Sequence, residues 1–373
     1  MYLDIQVAMV FVSIVIKRRC DIVSKSKTIP LSELKSSSIS DEKINTGILA
    51  FDAITGGGFG TSGGSIIQIV SESGLGKSTI ACQISMQMIY RGWKVLYIDT
   101  EGSISYELLS STELINYIDS SFFLIRETTF KNIEKVLDSF ISTHEINLIV
   151  IDSIAAIMHD GFAELSSDKD SGEKNGPISI TTNNSNYNSR QLTLLLNKYS
   201  MICRKENISI LYINQFRTRI TNLFNYAEQK VGGAKSVKYA SDIILKVSST
   251  ISRENKDFTT FINKDSVDAN LGKDLEFEVI KSNNSRSGRK IPFRFIYGRG
   301  ISLYWTEVYA LFKKGILINN RGNYSYTPYD EKNSRFLTEQ KVTYKGYEGL
   351  LNNHDSWSNN SRNSIIDFYI NIK

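Results

Sequence analysis

Short apolar runs alternate with amphipathic stretches through the middle of the chain. Four runs are rich in Ile, Val, Leu and Tyr, as buried strands are. They occupy residues 66–70, 93–99, 146–152 and 208–215. Apolar residues recur with a period near 3.6 over 80–89, 133–141 and 192–202, which predicts helices that cover a sheet. Strands alternating with helices indicate an α/β fold with a mainly parallel, doubly wound sheet.

Two long polar intervals interrupt this pattern. Residues 159–189 are dominated by Ser, Asn, Asp, Lys and Gly, and residues 216–238 are polar and strongly basic, so both are predicted to be loops. Strand-like runs return at 243–247, 275–281 and 291–297. Residues 305–373 carry many Asn, Tyr and Ser side chains without a clear period. We therefore predict a core at 44–304 and a small C-terminal domain at 305–373.

The chain begins with an apolar stretch at 5–16, and a tether rich in Ser and Lys then reaches residue 43. The stretch is shorter than the roughly 20 residues that cross a bilayer. Asp4 before it and the charges at 17–19 after it differ from a signal peptide. Two interpretations remain, an element packed on the domain's own core or an oligomerisation arm that packs on a neighbouring subunit. We expect no membrane partner.

Composition narrows the class of protein only slightly. Hydrophobic residues make up 41% and charged residues 22% of the chain, which is ordinary for a globular protein. A net charge of +5 permits a nucleic-acid partner. Three scattered cysteines give neither a disulfide framework nor a zinc spacing, so we expect a reducing, cytoplasmic environment.

A glycine-bearing loop follows the first apolar run and leads directly into a predicted helix. Its residues are Ser71, Glu72, Ser73, Gly74, Leu75, Gly76, Lys77, Ser78 and Thr79. Strand, loop and helix in this order are typical of a phosphate-binding P-loop, where backbone N–H groups and the helix dipole favour an anion. Lys77 would reach the β- and γ-phosphates, and the Ser78 hydroxyl would bind Mg²⁺. An ordinary Gly/Ser loop is the alternative, and the usual pattern has Gly where Ser71 stands.

Polar side chains end three of the predicted strands, which is where ligands of such sheets bind. Asp152 would orient a Mg²⁺-bound water, and Glu101 would polarise the water that attacks the γ-phosphate. The amide of Gln215 could sense the γ-phosphate and pull the segment behind it. The simpler alternatives are a capping or solvated acid for each carboxylate and a satisfied amide for Gln215.

The segment behind Gln215 combines basic side chains with an aromatic ring. It contains Arg217, Arg219, Phe224, Lys230, Gly232, Gly233, Lys235 and Lys238. In single-stranded nucleic-acid sites, basic groups track phosphates and rings stack on bases. Charge alone would indicate a solvated face, but the position directly after Gln215 favours the nucleic-acid interpretation.

In their order along residues 44–302, these motifs resemble the RecA family of recombinases, including its phage-encoded branch. The matching segments are 46–60, the P-loop, 98–101, 151–156, 213–217 and 292–301. The resemblance implies ATP and Mg²⁺ bound between subunits of a helical filament, with the two loops lining its axis. It also implies that Arg190 contacts DNA and that Lys281 reaches the neighbouring subunit's ATP. Tyr106 is the nearest aromatic to the position that stacks on adenine.

The resemblance further implies a DNA-dependent ATPase of the recombinase class. Such a protein coats single-stranded DNA, pairs it with homologous duplex DNA and exchanges strands in recombination and repair. Two alternatives share the same core motifs. One is a hexameric replicative helicase, and the other is an ATP-binding regulator that does not bind DNA.

Overall fold

A computed structural model describes most of the chain between residues 43 and 353. The described ranges are 43–61, 63–143, 145–158, 182–220, 227–231, 235–249, 272–283, 287–330 and 335–353. All of them belong to one unit defined by its internal contacts, Lys43–Lys373. The apolar stretch at 5–16, the tether, most of the first predicted loop, and Phe224, Gly232 and Gly233 lie outside the described residues.

The first half of the core alternates strands and helices, as the apolar pattern predicts. Its elements are β1 (Lys43–Ile44), α1 (Leu49–Thr55), β2 (Phe59–Gly60), β3 (Ile66–Ser71), α2 (Lys77–Ile89), β4 (Val95–Asp99), α3 (Tyr106–Ser111), β5 (Phe122–Ile125), α4 (Phe130–Thr143) and β6 (Leu148–Asp152). A 3₁₀ helix at Leu114–Tyr117 precedes β5. Every residue of β3, β4 and β6 is buried, which explains why these strands are continuous apolar runs and do not alternate.

The second half of the core adds further parallel strands and an antiparallel extension. Its elements are α5 (Thr182–Lys205), β7 (Ser209–Ile220), β8 (Ala227–Val231), α6 (Lys235–Ala240), β9 (Ile243–Ser249), β10 (Gly272–Ser282), β11 (Lys290–Ile296) and β12 (Gly300–Ile301). The ten-stranded sheet has the order β12-β11-β10-β9-β3-β7-β6-β4-β5, and β8 pairs with β7 outside this path. Strands from β9 to β5 in this order run parallel, whereas β10, β11 and β12 are antiparallel. The predicted mainly parallel sheet is confirmed.

Helices cover both faces of this sheet. Ile80 and Ile84 of α2 pack in one apolar cluster with Ile67 and Ile69 of β3. On the other face, α4 and α5 pack in a second cluster that includes Ile66 and the sheet-facing residues of β4, β6 and β7. The sheet is therefore doubly wound, as predicted.

Helices and strands extend into both segments that the sequence predicts to be loops. α5 begins at Thr182, before the predicted loop end at 189, because helix formation is cooperative and the apolar part of the helix extends it into a polar stretch. The segment 216–238 is not a loop throughout. β7 continues to Ile220 and pairs with β8, and α6 begins at Lys235. Alternation of Phe216, Thr218 and Ile220 with arginines is a strand pattern that the basic composition concealed.

The described part of residues 305–353 contains more regular structure than its composition indicated. It forms α7 (Trp305–Lys313), β13 (Leu317–Asn320), β14 (Asn323–Tyr326), β15 (Tyr329–Asp330), β16 (Arg335–Phe336), β17 (Val342–Lys345) and α8 (Gly346–Asn352), with a 3₁₀ helix at Thr338–Gln340. β13, β14 and β17 form a small antiparallel sheet. Val308 and Leu311 of α7 belong to the same apolar cluster as α2, so this region shares a core with the sheet. The division at residue 305 stays a prediction.

In the part of the chain that is described, none of the helices combines the length and apolar character needed to cross a membrane.

Candidate nucleotide-binding and catalytic site

The carboxyl ends of four adjacent parallel strands meet at one edge of the sheet. Ser71 of β3 lies beside Gln215 of β7, and Asp99 of β4 lies beside Asp152 of β6. The loop to α2 starts from the same edge, since β3 ends at Ser71 and α2 begins at Lys77. The predicted nucleotide residues are thus brought together by strand register, which is the usual place for a ligand in this type of sheet.

Two glycines give the loop its shape. Gly74 and Gly76 have φ values of 75° and 76°, in the left-handed region that favours glycine. A Cβ atom at Gly76 would also overlap the ring of Phe295, so no other residue fits there without displacing that ring. Ser71, by contrast, is the buried last residue of the strand, and its Oγ donates to the carbonyl oxygen of Glu72. Its extended backbone explains why the loop tolerates serine at this position.

Lys77 folds back onto the loop that precedes it. Its Nζ donates to Ser71 Oγ at 3.2 Å and to the Glu72 carbonyl oxygen at 2.9 Å, and only 8% of the residue is exposed. Burial lowers the pKa of Lys77, while the nearby carboxylates of Asp152 and Glu101 oppose this effect. The arrangement holds a cation beside the N-terminus of α2, where the helix dipole also favours an anion.

Asp152 ends β6 as a buried carboxylate that accepts two side-chain hydrogen bonds. The hydroxyl of Tyr97 donates to Oδ2 at 2.7 Å, and the hydroxyl of Ser78 donates to the same carboxylate. Burial raises the pKa of Asp152, and the hydrogen bonds from Ser78 and Tyr97 oppose this rise. Mg²⁺ is commonly held by one or two protein oxygens together with phosphates and water. A buried carboxylate in contact with a hydroxyl therefore fits this ion.

Glu101 and Gln215 are in direct contact, although their strands are not neighbours in the sheet. Gln215 Nε2 donates to Glu101 Oε1 at 3.0 Å. Ser153, which follows β6, donates its hydroxyl to the same carboxylate oxygen. The residue predicted to act as a base and the residue predicted to sense the γ-phosphate thus form one hydrogen-bonded group.

Thr100, which was not singled out from the sequence, joins the ends of β4 and β6. Its backbone N–H donates to the Asp152 carbonyl oxygen at 2.8 Å. Its hydroxyl donates to the Ser153 carbonyl oxygen and accepts from the Ser153 N–H, both at 2.7 Å. Further along, the Asp99 carboxylate accepts the N–H groups of Ser103 and Ile104. The turn that carries Glu101 is therefore fixed on both sides.

Comparison with known proteins identifies the family of the chain. The family model of the RecA N-terminal domain matches residues 16–302. This chain belongs to the RecA family. Curated relatives named Protein RecA, from Francisella tularensis subsp. novicida and subsp. holarctica, are each 26% identical over 286 residues. The aligned region covers 76% of this chain and 71% of each relative. Membership of the RecA family supports a recombinase-type function in general, with the nucleotide, Mg²⁺ and DNA use that such a function implies.

The antiparallel extension of this RecA-family chain also reaches the P-loop. Lys273 of β10 donates from Nζ to the Gly74 carbonyl oxygen at 2.8 Å. The same ammonium lies 5.8 Å from the ring centroid of Phe295 and 5.6 Å from that of Tyr297. The sequence motifs gave no reason to select Lys273, because the contact depends on the pairing of β10 with β11.

Tyr106 and Lys281 are two further residues that the sequence predicts to contact nucleotide. Tyr106 begins α3 and is 68% exposed, and its role at adenine stays a prediction. Lys281 donates from Nζ to the carbonyl oxygens of Lys238 and Ser241 at 2.9 and 2.6 Å, at the end of α6. Within its own subunit, Lys281 therefore holds the last turn of the helix that closes the basic segment. Its contact with a neighbouring subunit stays a prediction.

The described residues among the predicted DNA contacts lie on three elements, α5, β7 and α6. Arg190 is exposed on α5. Arg217 and Arg219 lie on β7, opposite Lys230 and Glu228 of β8, and Lys235 is the first residue of α6. β7 therefore carries Gln215 in the site and the two arginines just beyond it on one continuous strand.

Proposed function

We propose that this chain is a Mg²⁺- and DNA-dependent ATPase that forms filaments on single-stranded DNA and catalyses homologous pairing and strand exchange in the cytoplasm. Family membership supports the general class. One observation carries the finer proposal. Gln215 contacts Glu101, and Gln215 lies on β7, the strand that also bears Arg217 and Arg219. A change at the nucleotide then moves the basic hairpin without any intervening element.

Each polar group of the site has a separate role in the proposed hydrolysis of ATP. Lys77 and the N–H groups at the start of α2 neutralise phosphate charge. Ser78 and Asp152 would hold Mg²⁺, which when bound neutralises further phosphate charge. Glu101 accepts a proton from the attacking water, and Ser153 and Thr100 hold Glu101 in position.

Gln215 gives the nucleotide control over the DNA segment. In the structure its amide donates to Glu101. We propose that the γ-phosphate competes for this amide, so Gln215 leaves Glu101 free to act and shifts β7. A ligand changes such an equilibrium only through its different affinity for the two states, and the third phosphate supplies that difference. We propose further that Lys281 bridges to ATP on the neighbouring subunit, which would couple subunits along a filament.

The affinity for single-stranded DNA tests this proposal directly. We expect tight binding with a non-hydrolysable ATP analogue and weak binding with ADP or without nucleotide, measured by fluorescence anisotropy of a labelled oligonucleotide. The logarithm of affinity should fall with the logarithm of salt concentration, with a slope of about −0.7 per neutralised phosphate. Equal affinity in the three nucleotide states would contradict the switch. A slope near zero would favour a regulator that does not bind DNA.

Electron microscopy of the same mixtures distinguishes a recombinase from a hexameric replicative helicase. Filaments along single-stranded DNA with the ATP analogue are the expected result. Closed hexameric rings would instead support a replicative helicase with the same core.

A further inference from the structure

Tyr97 is a buried tyrosine whose hydroxyl reaches the carboxylate at the end of the neighbouring strand. It lies in β4, is 0% exposed, and pairs in register with Val150 of β6. Its hydroxyl donates to Asp152 Oδ2 at 2.7 Å. The bond therefore connects Tyr97 with a residue two positions beyond its paired residue in β6. It joins the apolar layer between the sheet and α2 to the polar end of β6.

A buried tyrosine hydroxyl needs a hydrogen-bond partner, and a carboxylate has several acceptor sites. The bond occupies Oδ2 and leaves the remaining acceptor sites of the carboxylate for Ser78 and for a metal ion. The ring itself is held by packing, since it lies 5.9 Å from the ring of Phe122. Tyr97 is thus a rigid donor that fixes the rotation of the Asp152 carboxylate.

We propose that Tyr97 is a positioning residue of the Mg²⁺ site, which acts by orienting Asp152 towards Ser78. The inference rests on the proposed function, because Ser78 and Asp152 are the protein oxygens that would bind the ion. Groups that hydrogen-bond a metal ligand from behind fix its orientation, and losing one typically costs about 10- to 100-fold in metal affinity. Phenylalanine would fill the same volume without the hydroxyl.

The test is a Mg²⁺ titration of nucleotide binding in the full chain. Binding of a ribose-labelled fluorescent ATP analogue is followed at increasing Mg²⁺ for the wild type and for Tyr97→Phe. We expect the Mg²⁺ concentration at half-saturation to rise about tenfold in the variant. Binding of the analogue without Mg²⁺ should stay within about twofold, because the lost hydroxyl contacts the metal ligand and not the P-loop.

Tyr212→Phe is the matched control. Tyr212 is also buried within the sheet, in β7, and its ring packs in the second apolar cluster, on the face of the sheet opposite to Tyr97. It should leave the Mg²⁺ midpoint unchanged, and thermal unfolding of both variants shows whether the fold is retained. An unchanged midpoint in Tyr97→Phe, or an equal shift in Tyr212→Phe, overturns the role of Tyr97.

A double-mutant cycle with Asp152→Asn keeps the test decisive if Tyr97→Phe is less stable. Coupled residues give non-additive effects, whereas general destabilisation adds. We expect Tyr97→Phe to cause no further rise in the Mg²⁺ midpoint once Asp152 is changed, and full additivity would refute the proposal. Failure of the proposed function itself looks different, because the wild type would then bind the analogue without any Mg²⁺ dependence.

Discussion

The nucleotide end of the sheet and the basic hairpin behind it are built in opposite ways. At the nucleotide end, Glu101, Asp152 and Gln215 are held by side chains and backbone groups from neighbouring strands, most of them buried. The hairpin of β7 and β8 is an antiparallel pair, and among the described residues β8 joins the sheet by its pairing with β7. The proposed catalytic residues therefore lie where neighbouring strands fix their positions. The predicted DNA contacts lie where β7 extends beyond the parallel part of the sheet.

The two regions share one strand, and that sharing explains how they could communicate. In β7, residues from Ser209 to Gln215 pair with β3 or β6 inside the sheet, and residues from Phe216 to Ile220 pair with β8. Gln215 is the last residue of the fixed part. We propose that a small displacement there would change the direction of the hairpin. The following variants test whether the regions divide at this residue.

The largest effect is expected from Glu101→Gln. The substitution keeps the size and the acceptor oxygen that Gln215 contacts but removes the base, so turnover should fall by at least about 100-fold. ATP and DNA binding should remain as in the wild type, since the P-loop and the hairpin are untouched. Steady-state ATP hydrolysis and analogue binding measure the two properties. Loss of analogue binding would contradict the assignment of Glu101 as the base.

Gln215→Ala should make the affinity for single-stranded DNA independent of the bound nucleotide. The ratio of single-stranded DNA affinity with ATP analogue to that with ADP should fall from about tenfold or more to near unity, because allosteric coupling of this kind is typically worth about 5- to 150-fold. Nucleotide affinity should change little. The exposed Gln340, distant in sequence from the site, provides the control variant Gln340→Ala. A preserved ratio in Gln215→Ala would mean that the hairpin responds to nucleotide by another route.

Thr100→Val tests the rigidity of the nucleotide end. Valine matches the shape of threonine but leaves the N–H and carbonyl groups of Ser153 without this partner, so Glu101 is held less firmly. Turnover should fall by about tenfold, with analogue affinity nearly unchanged. Thr100→Ser should restore most of the activity, since its hydroxyl can make both bonds. Failure of serine to rescue would indicate a packing role for the methyl group.

The smallest effect is expected from Arg217→Ala in the hairpin. Removing one phosphate contact should reduce the magnitude of the salt slope of single-stranded DNA binding by about 0.7. Basal ATP hydrolysis should be unaffected. Lys131→Ala, which changes an exposed lysine on α4, should leave the slope as it is. An unaltered slope in Arg217→Ala would remove this residue from the predicted DNA contacts.

Local sequence signals were sufficient for the fold and for part of the site. Continuous apolar runs identified β3, β4 and β6, and the strand, loop and helix around Lys77 identified the P-loop. They were insufficient where structure depends on pairing. β7 extends past Gln215 because β8 pairs with it, and the roles of Thr100 and Tyr97 depend on the register that sets Asp99 beside Asp152. Such contacts join residues more than 50 positions apart, which no local pattern encodes.

The ring of Phe295 behind Gly76 has a consequence for the order in which the protein becomes competent during synthesis. Lys77, Glu101, Asp152 and Gln215 all precede β10 and β11 in the chain and are therefore synthesised first. The loop at Gly76 gains its backing ring from β11 and its lysine clamp from β10, so a nascent chain would carry the catalytic groups well before its phosphate loop is fully supported. We therefore expect the ability to hold ATP to develop only when β10 and β11 have been made.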